Sequence, residues 1–162
     1  MKKTSMPEPQ PSPPHIRTAV AADAPAIAGL MGQLGYEANE ALIVRKLAIL
    51  VANTCDSVLL AEVDGCVAGV ISLHVMELFH AEGRIGRITS LVVDAGHRGR
   101  GVGEALVAAA DRSFTGQGCV RAEVTSGDHR PAAHAFYAAQ GYAPDERRFL
   151  KRYAGLSAQE SG

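Results

Sequence analysis

Residues able to do chemistry concentrate in the stretch 91–106, where an apolar strand, Leu91, Val92 and Val93, runs through a glycine-rich basic turn directly into a helix. Gly99, Gly101 and Gly103 remove Cβ atoms where the chain must curl so that successive backbone N–H groups face one point. That point suits an anion. The helix opening near Gly101 adds unpaired N-terminal N–H groups and the positive end of its dipole, and Arg98 and Arg100 add full charges, so pyrophosphate is the natural guest. Two familiar phosphate loops fit poorly. A P-loop closes on Lys-Ser or Lys-Thr, whereas Gly103 is followed by Glu104 and Ala105. A dinucleotide fingerprint, G-x-G-x-x-G, begins almost directly after its strand, whereas the G-x-G-x-G run here is set back by residues 94–97. Taken alone, the run is either an anion cradle or a glycine-rich turn before an ordinary helix.

The elements that must position this stretch follow from periodicity and caps. Residues 15–20 read as a first strand. Asp23 is placed as an N-cap, Pro25 sits in the first turn, and Ile27, Leu30, Met31 and Leu34 form one helical face before Gly35. Asn39 and Glu40 open a second helix with Ile43, Leu47 and Leu50 as its stripe, ending near Asn53. Strands 57–63 and 66–76 flank Asp64-Gly65, the dipeptide favoured in a two-residue hairpin, and strand 84–93 feeds the glycine turn. A helix over 101–114 buries Val102, Leu106 and Ala109. Strand 119–125, a helix starting at Pro131 with Ala133, Phe136 and Tyr137 and closed by Gly141, and a last strand over 147–153 complete the order. The expected class is mixed α/β, with a mainly antiparallel central sheet flanked by helices.

Composition narrows the function. The 162 residues suit one domain over 15–155, preceded by a proline-rich leader over 1–14 with no signal-peptide core and followed by a small polar tail over 156–162. The leader is expected to be disordered, with a proline-motif ligand as the alternative. A net charge of −1 with interspersed signs argues against nucleic acid as the main partner, and no stretch approaches the roughly 18 apolar residues of a membrane span. Cys55, Cys66 and Cys119 lack any C-x-x-C spacing and lie in apolar contexts, which predicts reduced, packed thiols in a cytoplasmic protein.

A second motif gives the glycine turn its meaning. Arg98, Gly101 and Gly103 match R-x-x-G-x-G/A, and Ala133, Phe136, Tyr137, Gly141 and Tyr142 match N-x-x-A-x-x-F/L-Y-x-x-x-G-F/Y, with Arg130 in place of the asparagine. Together with the element order, these motifs make residues 15–153 resemble the GNAT superfamily of acetyl-CoA-dependent N-acetyltransferases. The resemblance implies the GNAT acyl-CoA N-acyltransferase fold, acetyl-CoA as cosubstrate, and a primary amine acceptor attacking it directly in a ternary complex. It implies that the fourth and fifth strands splay, that the pantetheine arm pairs with backbone groups of Leu91, Val92 and Val93, and that a freed N–H stabilises the oxyanion. Arg98, Gly99, Arg100, Gly101, Val102, Gly103 and Glu104 would receive the pyrophosphate. Arg130 would either reach a cofactor phosphate or form a surface salt bridge.

The same resemblance implies that Tyr137 protonates the departing CoA thiolate, unless it only packs on the final helix. A phenol of pKa about 10 can protonate a thiolate of pKa about 8.5 at a cost of about 2 kcal/mol in solution. The general base is open. Some members carry a glutamate on the fourth strand, where this chain has Arg87, so Glu123, Glu77 and His80 are the candidates, each also readable as a solvated or structural side chain. His74, His97 and His134 show no metal-ligand spacing. The acceptor is expected between the turn at Tyr36 and Glu37 and residues 143–147. Glu37, Glu77 and Glu82 point to a small cationic amine, with a peptide or protein amine second. A CoA-binding sensor without catalysis and a nucleotide module that does not use CoA are the rival classes, and the resemblance leaves a homodimer open.

Overall fold

The computed structural model describes residues 11–125, 131–145 and 148–153. Among them, β1 (His15–Thr18), β2 (Asp56–Val63), β3 (Cys66–Glu77), β4 (Arg84–Val93) and β5 (Cys119–Val124) form one sheet in sequential order. Successive strands from β1 to β4 pair antiparallel, and β5 joins β4 in parallel after a helical crossover. Four helices flank it: α1 (Ala24–Gln33), α2 (Glu40–Val51), α3 (Val102–Gly116) and α4 (Pro131–Ala139). The mixed, mainly antiparallel sheet expected above is the one found.

Local chemistry accounts for most of these boundaries. Asn39 caps α2 by accepting from the Leu42 N–H at 2.9 Å, and Pro25 occupies the first turn of α1. Asp64 and Gly65 take positive φ, 51° and 79°, as the tight β2–β3 turn demands. Asp23 does not cap α1 through its side chain. Its carboxylate instead takes a two-pronged bond from Arg17 at 2.7 and 2.8 Å and accepts from the Val20 N–H at 2.8 Å. The strongest donor in reach has won over the cap, and β1 ends early, at Thr18, to make room for the short 3₁₀ turn Ala21–Asp23.

Each face of the sheet has its own core. Ile71, Leu73 and Ile88 pack under Val102, Leu106, Ala110 and Phe114 of α3. Val58, Leu60, Val70 and Val92 pack under Ile27 and Leu30 of α1 and Ile43 and Leu47 of α2. The α3 side is tight: a Cβ at Gly86 would fall 2.4 Å from the Phe114 ring, so only glycine lets the ring lie on β4.

Two expectations are corrected. The last strand over 147–153 is not found: Arg147 lies outside the described residues, and Arg148 to Tyr153 belong to no strand. Alternation there sets Phe149, Lys151 and Tyr153 against Arg148, Leu150 and Arg152, so each side mixes apolar and charged groups and neither can be buried; Phe149 is 93% exposed. Cys66 is exposed at the hairpin turn, not packed, while Cys55 and Cys119 are half-buried and all three are unpaired. Burial pushes the Cys119 thiol up. No helix among the described residues is long and apolar enough to cross a membrane.

Candidate active site

The site begins where β4 leaves β5. Parallel pairing runs from Arg84 opposite Cys119 to Ile88 opposite Val124 and stops, while β4 continues to Val93. On the other side, β3 stays paired with β4 to the end, through one irregularity: Leu73 faces Ile88 but Ser72 faces Ser90, so Thr89 is an extra, bulged residue. The bulge reverses the faces of β4, which puts Ile88, Leu91 and Val93 toward α3 and Ser90 and Val92 toward α1 and α2. From Thr89 onward the β5-facing edge of β4 carries backbone N–H and C=O groups with no strand opposite among the described residues. Leu91, Val92 and Val93 lie on this edge; the Val92 side chain is buried at 4%, so only its backbone faces the gap.

Past Val93 the chain enters the glycine turn through a 3₁₀ turn, Ala95–His97. The entrance is latched from α1. Gln33 Nε2 donates to Asp94 at 2.8 Å, and Gln33 Oε1 accepts from the Ala95 N–H at 2.9 Å. Asp94 also accepts from the Gly96 N–H at 3.0 Å and meets His97 Nδ1 at 2.8 Å. The Gln33 and His97 donors hold the Asp94 carboxyl below the usual carboxylate range. Gly99 and Gly101 both adopt left-handed backbone, φ 71° and 78°. Gly101 is the N-cap of α3 and has no side chain to receive the first-turn N–H groups of Val102, Gly103 and Glu104. Arg98 and Arg100 are exposed beside them; Arg100 also lies 3.9 Å from Asp64, whereas Arg98 has no ion-pair partner among the described residues. The glycine turn thus brings together first-turn N–H donors, two cations and a helix N-terminus at the end of the β4 edge, the features an anion cradle would use.

The second motif is joined to the first by contact. Phe136 of α4 packs where Gly103 lacks a side chain: a Cβ there would lie 3.1 Å from the Phe136 ring and 3.6 Å from Val93. Tyr137 follows, its ring edge-on to Phe136 at 5.3 Å and to Tyr142 at 5.7 Å. Tyr142 packs on the α3-side core with its hydroxyl buried and unpaired among the described residues, and burial pushes that phenol up to about 12. Arg130 lies outside the described residues.

The groups proposed to accept a proton are not gathered at the splay. Glu77 is bonded to Arg84 at 2.6 Å at the far end of β4, and His80 and Glu82 are exposed in the connection before it. Glu37 is exposed between α1 and α2. Glu123 is nearer, but Arg87 at 2.8 Å and Arg121 at 3.4 Å bind it, and the Arg87 guanidinium holds its carboxyl below the usual range, which makes it a weak base. No three His, Cys, Asp or Glu side chains among the described residues are arranged to hold a metal ion.

Sequence reasoning missed a pair beside these. His74 Nδ1 meets Asp56 Oδ1 at 2.5 Å, and the other Asp56 oxygen accepts from Asn53 Nδ2 at 2.7 Å. His74 faces the α1–α2 side, next to Ser72 along β3 and opposite Arg87 across β4. The signal was in the hairpin, but hidden. Pairing counted back unbroken from Val63 opposite Cys66 would set Asp56 against Leu73; an extra residue at Ala68 moves it to His74.

Comparison with known proteins places this geometry. The model of the acetyltransferase (GNAT) family matches residues 30–142. An aminoalkylphosphonate N-acetyltransferase of Salmonella typhimurium strain LT2 is 37% identical over 88 residues, which cover 54% of this chain and 57% of that relative's length. Among solved structures, a putative acetyltransferase from Agrobacterium tumefaciens superimposes with TM-score 0.78 at 25% identity, covering 86% of this chain and 99% of that one. The aminoglycoside N-acetyltransferase AAC(6')-Iy, solved with CoA, superimposes with TM-score 0.79 at 20% identity, covering 90% and 98%, a likeness of fold.

Proposed function

The chain belongs to the GNAT acetyltransferase family, and on that premise we propose that it moves an acetyl group from acetyl-CoA to a small primary amine by direct attack in a ternary complex. The observation that carries the reading is the parting of β4 from β5 at the Thr89 bulge, on a strand that runs straight into the cradle at the N-terminus of α3. The Salmonella relative, matched over 57% of its length and named for transfer to an aminoalkylphosphonate, supports an amine acceptor.

The residues present fit acetyl-CoA. The open edge over Leu91 to Val93 offers alternating donors and acceptors to the amides of pantetheine, as an added strand would use them. Arg98 and the N–H groups of Val102, Gly103 and Glu104 take the pyrophosphate, with Gly99, Arg100 and Gly101 shaping the turn. The cosubstrate supplies the activated thioester acyl group. A backbone N–H freed near the bulge donates to the acyl oxygen, where negative charge grows during attack. Tyr137 gives its phenolic proton to the leaving sulfur.

The amine arrives as an ammonium, cationic until it loses a proton; with a pKa near 10.4 it is about a thousandth neutral at pH 7.4. His74 takes that proton through water. Asp56 accepts a hydrogen bond from the Nδ1–H and so favours the tautomer that leaves Nε2 open as the proton acceptor. Thermal shift tests the cosubstrate. At about 100 times Kd, acetyl-CoA should stabilise the fold by roughly 2.7 kcal/mol. Stabilisation by ATP or NAD with none by acetyl-CoA would overturn the reading.

A further inference from the structure

One cavity opens on the α1–α2 side of the sheet, of about 180 Å³, lined by Ile27, Met31, Ile43, Leu47, Leu50, Val58 and Val70 and, among polar side chains, by Lys46, Ser72 and Ser90. Its position ties it to the reaction. Ser90 directly follows the bulged Thr89 and faces Ser72 across the β3–β4 ladder, so this part of the lining lies next to the point where β4 parts from β5. Lys46, on α2, lines the cavity and is an exposed residue, so its cation stands at the solvent side of the lining. None of these three side chains has a hydrogen-bond or ion-pair partner among the described residues, and no carboxylate lines the cavity.

We propose, on the acetyl-transfer reading above, that this cavity is the acceptor subsite and that it takes small primary amines whose short apolar body ends in an oxyanion: a carboxylate, phosphonate or sulfonate. The walls suit a hydrocarbon body. At roughly 30 Å³ for each water-sized group, the volume holds about six such groups, enough for a few carbons and a compact head. Charge decides the head. A second ammonium would meet Lys46 with nothing in the lining to neutralise it, whereas an oxyanion finds one cation and two hydroxyl donors in the same lining. The acidic side chains that suggested a cationic subsite stand elsewhere: Glu77 is bound to Arg84, and Glu37 and Glu82 are exposed in connections.

Thiol release from acetyl-CoA is measured with matched amines: aminopropylphosphonate and aminobutanoate, neutral methoxypropylamine, the diamine putrescine, and a short peptide with a free N-terminus. The anionic amines should exceed the neutral one in kcat/KM by at least about tenfold, the factor of one charge-assisted contact, with putrescine slowest. Lys46→Gln should collapse that ratio, and Lys46→Glu should invert it in favour of putrescine. Propylphosphonate, which has no amine to acetylate, should raise the Tm of the wild type and not of Lys46→Gln. Preference for putrescine, the neutral amine or the peptide, or an order that survives Lys46→Glu, would overturn the proposal. Thiol release absent on every amine, with propylphosphonate still stabilising the wild type alone, would instead sink the acetyl-transfer reading and leave the anion subsite standing.

Discussion

Gly101→Ala isolates the cradle from the chemistry. Gly101 sits at φ 78°, ψ 9°, and a Cβ there meets nothing within 4 Å, so the substitution makes no clash and its whole effect is conformational. Holding an L-residue in the left-handed region costs about 1–2 kcal/mol, a factor of roughly 5–30 in an equilibrium. The turn can bear that strain and lose stability, or relax and swing the first N–H groups of α3 away from the pyrophosphate. The first course lowers Tm and leaves Kd unchanged, since the strain is then in the free and the bound protein alike. The second, expected at an exposed turn, puts the loss on acetyl-CoA binding, because the bound state requires the strained turn. Gly103→Ala works differently: its Cβ would lie 3.1 Å from Phe136, so it pushes α4 and, with it, Tyr137. Calorimetric titration with acetyl-CoA, beside steady-state kinetics at saturating amine, separates the two. Gly101→Ala should raise Kd and KM for acetyl-CoA by about tenfold with a smaller change in kcat, the 1–2 kcal/mol strain expressed as affinity. Gly103→Ala should lower kcat more than it raises Kd. A Gly101→Ala protein with wild-type Kd and wild-type Tm would refute the cradle.

Three further outcomes are expected. Tyr137→Phe should lower kcat by about tenfold or more with acetyl-CoA affinity retained, the range of lost general-acid help, and an unchanged kcat would remove the phenol from the mechanism. His74→Gln should lower kcat/KM by about tenfold or more, the range of lost general-base help, and Asp56→Asn should lower it less; wild-type kcat/KM in both would return the search for the base to another group. Tyr142 links stability to alkaline pH. Its folded pKa is raised to about 12 from an ordinary 10, so its contribution is fully present below pH 10 and is lost as pH rises toward 12. Tyr142→Phe should flatten that alkaline loss in a Tm-against-pH series without destabilising the protein at neutral pH, since the hydroxyl it deletes is buried and has no partner among the described residues.

Periodicity and caps made most of the fold legible, because they are local signals: the Asn39 cap, the Pro25 first turn and the Asp64-Gly65 hairpin all stand where their chemistry demands. The glycine turn and the α4 motif were legible for the same reason, and the packing of Phe136 on Gly103 joins them. Register was not legible. Two of the extra residues, Ala68 and Thr89, leave the alternation of apolar side chains readable on either side of them while shifting every pairing beyond by one; Val120 is a third, on β5. The shift at Ala68 and Thr89 brings Asp56 to His74 and Ser72 to Ser90, the proposed proton acceptor and part of the proposed acceptor cavity. Asp23 failed as a cap because its partner Arg17 lies on β1, outside the helix whose start it marks. The strand expected over 147–153 failed because alternation alone does not say whether a neighbouring strand is there to receive it.

The central claim is that this chain catalyses acetyl transfer from acetyl-CoA to an amine at the gap between β4 and β5. Amine-dependent thiol release by the purified full chain, with mass spectrometry of the acceptor, tests it most directly. Release should rise with amine concentration, match the acetylated amine one for one, and fall in Tyr137→Phe. Acetyl-CoA bound tightly with no release on any amine in the panel would contradict it.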